Sequence, residues 1–271
     1  MKPFNSQRAP AFAKNGMVCS SQPLAAAVGR DILRAGGNAA DAAVAMAAMV
    51  NITEPMMNGL GGDSMMLVHW NGAFFGLNGS GRSGSRLTID NLCAAGFSSM
   101  PKAGAATVSV PGALDAYLAL HDRFGSMDFS TLVEPAAVYA EDGFAVGAKV
   151  SQAWEWGASK LQRFSADASP FLPGGEAPKA GQIFQQKDLA STWRSIGRGG
   201  RAAFYGGEVR DRILDALQKT GGYLEIEDFD QVQAEWVEPI GRRGNQGSIA
   251  SLSSRPAFMN APFRCWAFLL V

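Results

Sequence analysis

The chain has 271 residues, 47% of them apolar and 18% charged, the composition of a globular protein with a substantial core in one or two domains. Its 24 basic and 24 acidic residues cancel, so bulk charge calls for neither nucleic acid nor a membrane surface. Three cysteines (Cys19, Cys93, Cys265) lie far apart and the two histidines (His69, His121) lack close ligand partners, which argues against a disulfide framework or a metal site.

Met1 to Asn15 carries Lys and Arg but no apolar run of signal-peptide length. No stretch reaches the roughly 20 apolar residues of a membrane span. The expected location is therefore cytoplasmic.

Gly16 to Ser20 is a short apolar run that reads as a strand. Ser20 or Ser21 is placed to cap a helix with Pro23 in its first turn, and Leu24, Ala27, Val28, Ile32 and Leu33 recur at helical spacing up to Gly36-Gly37. Ala39 to Val50 follows, with eleven apolar residues in twelve, all of them Ala, Met or Val. A helix apolar on most of its surface must be buried on most sides. Gly36-Gly37 before it and Pro55 after it delimit it. Asp41 and Glu54 read as polar caps or buried hydrogen-bonding groups.

Ser64 to Trp70 and Ala73 to Leu77 flank Asn71-Gly72, a strong two-residue hairpin signal. A polar, glycine-spaced loop runs from Asn78 to Ser85. Leu87 to Gly96 reads as a short helix, and Thr107 to Val110 is β-branched in character. Ala113 to Phe124 is an amphipathic helix with Leu114, Tyr117, Leu118 and Leu120 on its buried side. Phe129 to Asp142 is another, with Pro135 within it. Ser151 to Gly181 is weakly periodic. Gln185 to Gly197, Glu208 to Thr220 and Glu227 to Gln231 read as helices. Strands without regular βαβ alternation among many helices make a mixed, layered α/β (α+β) pattern.

Composition changes after Pro239. Residues 240–271 contain Arg242, Arg243, Arg255 and Arg264 and no acid, and end in the apolar run Cys265 to Val271. The expected division is 16–239 as one region and 240–271 as a separate basic and apolar tail, for which a change of reading frame is one source.

Several short motifs occur in one order. They are Gly16-Met17-Val18, Gly36-Gly37-Asn38-Ala39-Ala40-Asp41-Ala42, Glu54-Pro55, Gly59-Leu60-Gly61-Gly62-Asp63, Val110-Pro111-Gly112, Glu134-Pro135-Ala136, Phe204-Tyr205-Gly206-Gly207 and Ala234-Glu235-Trp236-Val237-Glu238-Pro239. In that order they resemble the N-terminal, large-subunit part of the γ-glutamyltransferase (γ-glutamyltranspeptidase) family, in its divergent branch. The resemblance implies part of an N-terminal-nucleophile hydrolase fold, an αββα sandwich. It implies a self-cleaving precursor whose new N-terminal threonine attacks a γ-glutamyl amide with its own amine as base. The acyl group then passes to water or an amino acid, as with glutathione-type substrates. No cofactor is implied. The partner implied is the small-subunit half.

The threonines of this chain are 53, 88, 107, 131, 192 and 220, with no adjacent pair. No catalytic residue is therefore assigned here, and the chain alone is expected to be inactive. The candidate substrate-binding residues are Arg82 and Ser80. A guanidinium can hold a carboxylate through two parallel hydrogen bonds, and Ser80 can add another. Arg82 lies two positions later than the family's carboxylate-binding arginine, so a related acyl group such as glutaryl is the alternative, and a carboxylate-binding module without catalysis is another. Asp63 is the neighbouring acid that could pair with Arg82. Gly59-Leu60-Gly61-Gly62 follows a helix and precedes a strand, the reverse of a dinucleotide fingerprint. His69 reads as structural, and Trp154 and Trp156 as core or interface.

Overall fold

The computed structural model describes residues 9–165, 167–244 and 247–251. Its central element is α2 (Ala39–Thr53), in which eleven of fifteen residues are buried. Small side chains let α1 (Pro23–Arg34), α4 (Ala113–Phe124) and α5 (Phe129–Asp142) pack against it. Met49 and Ile52 are fully enclosed, each side chain worth about 2 kcal/mol of burial. Asn38 caps the helix through Oδ1, which accepts from the N–H groups of Ala40 (2.8 Å) and Asp41 (3.1 Å), while Asp41 accepts from the Asn38 N–H at 2.8 Å. This reciprocal arrangement is a capping box.

Asp41 has no exposed surface. Its carboxylate also accepts from the Ser126 N–H (2.9 Å) and hydroxyl (2.6 Å) and from the Met127 N–H (3.3 Å). Burial alone pushes its pKa up. The hydrogen bonds from Ser126, Asn38 and Met127 outweigh that and hold it below its ordinary 3.8. One buried acid thus ties the start of α2 to the connection between α4 and α5.

β1 (Ser64–Trp70) and β2 (Ala73–Gly79) form the expected hairpin, in register from Ser64 opposite Gly79 to Trp70 opposite Ala73. Asn71 and Gly72 both have positive φ, 49° and 82°, as a two-residue turn of this hand requires. β5 (Glu235–Val237) joins the other side of β2, giving the order β1-β2-β5. Met66, Val68 and Leu77 alternate onto the face shared with the helical core. α7 (Lys187–Tyr205) packs on α5, and Arg194 bridges Glu134 (3.1 Å) and Glu141 (2.7 Å) across that contact.

Four local readings change. Gly16 to Ser20 is not a strand, because among the described residues no neighbour pairs with it. Thr107 ends a 3₁₀ turn (Ala105–Thr107), and the buried Val110 donates its N–H to the Arg82 carbonyl at 2.8 Å, not to a sheet ladder. Ser151 to Gly181 contains most of a long helix, α6 (Ala148–Phe164). Its contact stripe is narrow, with only Val150 and Trp154 buried, which is why its periodicity is weak. Trp154 is enclosed and donates to the Phe171 carbonyl at 2.9 Å, whereas Trp156 is 74% exposed. The helix expected to stop at Gly197 continues to Tyr205 across a break at Gly200 (φ 55°, ψ −138°).

The remaining elements are α3 (Ile89–Ala94), α8 (Gly207–Lys219), α9 (Ile226–Asp230) and the short pair β3 (Phe144–Ala145) with β4 (Ile183–Phe184). In the segment set apart at 240–271, β6 (Ile240–Gly244) and β7 (Gly247–Ser251) pair antiparallel. The apolar run Cys265 to Val271 lies outside the described residues. Among the described residues no helix is long and apolar enough to cross a membrane.

Candidate functional site

The Asn78 to Ser85 loop leaves β2 and crosses directly over the segment that leads into α4. Ser80 donates its N–H to the Asn78 side chain at 3.1 Å, which starts the turn. Gly81 has φ 71°, and a Cβ there would stand 1.9 Å from the Val110 carbonyl oxygen. A Cβ on Gly112 would stand 2.3 Å from the Gly79 carbonyl oxygen and 2.4 Å from the Gly81 nitrogen. The two backbones are in contact because neither carries a side chain at the crossing. A third loop joins them, since the Gly62 carbonyl accepts from the N–H groups of Gly112 and Ala113, both at 3.0 Å. The glycines of Gly59 to Gly62 thus serve a backbone junction, and the Gly62 carbonyl stands in for the side-chain cap that α4 lacks.

Arg82 emerges from this junction with its side chain 63% exposed. Its partner is Glu235, with Nη2 3.3 Å from Oε1, and not Asp63, which is exposed. Glu235 is set there by sheet register, opposite Asn78 at the end of β2. An ion pair this open contributes at most about 1 kcal/mol, so an incoming carboxylate can compete for the guanidinium. Ser80 is half-buried one turn of chain from Arg82. The loop's far end is held by Ser85 N–H to Asp228 (2.9 Å) and Arg86 to Glu225 (2.7 Å).

Five of the six threonines have locally engaged hydroxyls. The hydroxyls of Thr53, Thr107, Thr192 and Thr220 donate to carbonyls three or four residues back, and Thr88 accepts from Asn91 in capping α3. Glu54 accepts from the Ser21 hydroxyl (2.9 Å) and Asn58 (3.3 Å), fixing the exit of α2. The His69 ring lies 4.6 Å from that of Phe74 across the hairpin, tilted by 43°.

Beneath the junction lies a polar cluster that no local pattern announces. The Tyr205 hydroxyl donates to the Pro111 carbonyl (2.8 Å) and accepts from the Asp115 N–H (3.0 Å). Asp115 accepts in turn from Arg201 and from the Ala234 N–H, and Arg201 also donates to the Val232 carbonyl. Burial raises the Tyr205 pKa well beyond its ordinary value of 10.0, so the hydroxyl stays a donor. The only sequence trace is the four-residue spacing of Arg201 and Tyr205, which puts both on one face of a helical turn.

The gamma-glutamyltranspeptidase family profile matches residues 25–258. A glutathione hydrolase-like YwrD proenzyme from Bacillus subtilis is 39% identical over 227 residues, covering 83% of this chain and 43% of that relative. Among solved structures, the gamma-glutamyltranspeptidase of Helicobacter pylori superposes with a TM-score of 0.86 at 28% identity, covering 92% of this chain and 72% of that one. A cephalosporin acylase from Bacillus halodurans gives 0.78 at 37% identity, covering 89% of this chain and 47% of that one. The chain therefore spans less than half the length of its curated relative.

Proposed function

The chain belongs to the gamma-glutamyltranspeptidase family, and from that premise we propose that it is the acyl-gripping half of an amide-cleaving enzyme whose nucleophile lies on a companion half. Its fold class is the large-subunit portion of an N-terminal-nucleophile hydrolase, with helices on one face of a sheet. The relatives named as proenzymes support a second half as partner. The division 16–239 and 240–271 and a cytoplasmic location are part of the same proposal.

The observation that carries it is the Arg82 guanidinium, more than half exposed on a loop whose backbone is held at Gly81 and Arg82. The backbone that carries the group is fixed before ligand arrives, so the loop itself loses little conformational entropy on binding. In the proposed reaction Arg82 takes the carboxylate of a γ-glutamyl group through two hydrogen bonds, and Ser80 adds a third contact. The companion's N-terminal threonine attacks the amide carbonyl, the C–N bond breaks and the amine leaves with the threonine's hydroxyl proton, and water or an amino acid then takes the acyl group from the threonine. Covering the loop with the second half removes water and strengthens the Arg82 contact.

A second reading, with another acyl group such as glutaryl, is favoured by the position of Arg82 two residues beyond the family's clamp and by the likeness to an acylase. Both are tested by producing this chain with the C-terminal half of the Bacillus subtilis relative and assaying γ-glutamyl- and glutaryl-p-nitroanilide. The expected result is turnover only with both halves, the preferred substrate naming the acyl class. A folded pair with no turnover, or turnover by this chain alone, overturns the reading. Calorimetry with glutamate on the chain alone separates a non-catalytic binding module, which would bind without its companion.

A further inference from the structure

Three segments far apart in sequence meet beneath the Arg82 loop. They are the start of α4 with Pro111 and Asp115, Arg201 and Tyr205 in the last turns of α7, and Val232 to Ala234 before β5. Arg201 lies immediately after the Gly200 break, so its turn is re-aimed relative to the rest of α7. Its guanidinium stacks 4.5 Å from the Tyr205 ring while binding Asp115 and the Val232 carbonyl. Tyr205 is 3% exposed and Asp115 8%.

We propose that Asp115, Arg201 and Tyr205 are positioning residues that set the distance between Arg82 and Glu235. Two arms run from the cluster to the site. One passes from the Tyr205 hydroxyl through the Pro111 carbonyl to Val110 and Gly112, which contact Arg82 and Gly81 backbone to backbone. The other passes from the Asp115 carboxylate through the Ala234 N–H to Glu235, the next residue. Asp115 therefore joins the strand that carries the acid to the loop that carries the base. β5 is three residues long and pairs only with β2 among the described residues, so its own ladder holds it weakly and the Asp115 anchor matters correspondingly more. This inference rests on the reading of the Ser80–Arg82 loop as acyl-binding only for its effect on substrate. The mechanical link stands on its own contacts.

The test is amide hydrogen exchange on the full chain, comparing wild type with Tyr205→Phe and Asp115→Asn. Tyr205→Phe removes one hydroxyl and keeps the ring, so the chain should fold. It should speed exchange of Val110, Gly112 and Ala113 about tenfold and leave the α2 amides unchanged. Asp115→Asn should do the same at Ala234 and through β5, with Asp115→Glu recovering part of the protection. Unchanged exchange at these amides, or an equal rise in α2 that marks general loosening, overturns the proposal. In the two-chain enzyme Tyr205→Phe should raise KM severalfold with kcat little changed. Exchange coupling without any effect on KM would leave the mechanical link in place and count against the acyl-binding role of the loop.

Discussion

α2 and the Asn78–Ser85 loop are joined by one hairpin, yet different forces hold them. α2 is held by burial, with small apolar side chains enclosed by α1, α4 and α5 and a single acid at its start. The loop buries little of its own. It is held by missing side chains at Gly81 and Gly112, by carbonyl acceptors at Gly62 and Arg82, and by a polar cluster drawn from α4, α7 and the approach to β5. A buried side chain can be replaced at a graded cost, because its neighbours relax in part. A backbone crossing has no such slack, because peptide groups cannot move without carrying both chains.

The difference can be probed by substitution, beginning where the largest effect is expected. Gly81→Ala combines a positive φ with an unavoidable clash, and should cost about 4 kcal/mol or prevent the junction from closing, read by urea unfolding. A cost below about 1 kcal/mol would mean that the crossing is looser than described. Trp154→Ala empties an enclosed site on α6 and should cost about 3 kcal/mol, whereas Trp156→Ala, on the same helix and 74% exposed, should fall within about 0.5 kcal/mol.

Asp41→Asn should cost about 2–3 kcal/mol near neutral pH, because the amide cannot accept from Asn38, Ser126 and Met127 as a carboxylate does. The pH dependence follows from the lowered pKa. The Asp41 contribution is whole above the ordinary 3.8 and is lost as pH falls through the lower folded value. The wild type should therefore lose its margin over the variant between about pH 5 and pH 2, measured by urea midpoints. A margin that persists in acid would show that Asp41 is not the titrating anchor. Arg82→Ala comes last for stability, within about 0.5 kcal/mol, since its ion pair is open to solvent. Its effect should appear in substrate KM instead.

Legibility in sequence follows the same divide. α2, α4, α5 and the β1–β2 hairpin are readable because each is specified within its own residues, by a dense apolar run, by Leu114, Tyr117 and Leu120 at helical spacing, or by Asn71-Gly72. α6 escapes notice because its buried stripe is two residues wide, and β5 because three residues carry no period. At the site, Arg82 is legible as an arginine in a glycine loop. Its pairing with Glu235 is not, because 153 positions separate them and only the β2–β5 register brings them together. The Asp115–Arg201–Tyr205 cluster is hidden for the same reason.

One small contact at the start of α4 reaches further than its size. The Gly62 carbonyl accepts from Gly112 and Ala113, and the Tyr205 oxygen accepts from Asp115, so three N–H groups there already face protein oxygens. The positive end of a helix is a common receptor for negative charge. Here that receptor is answered internally. Under the proposed function, this helix end is therefore not the expected donor to a tetrahedral intermediate, and the companion half is. In that proposal the two halves divide the labour, one recognising the substrate's carboxylate and the other attacking its amide and bearing the charge that attack creates.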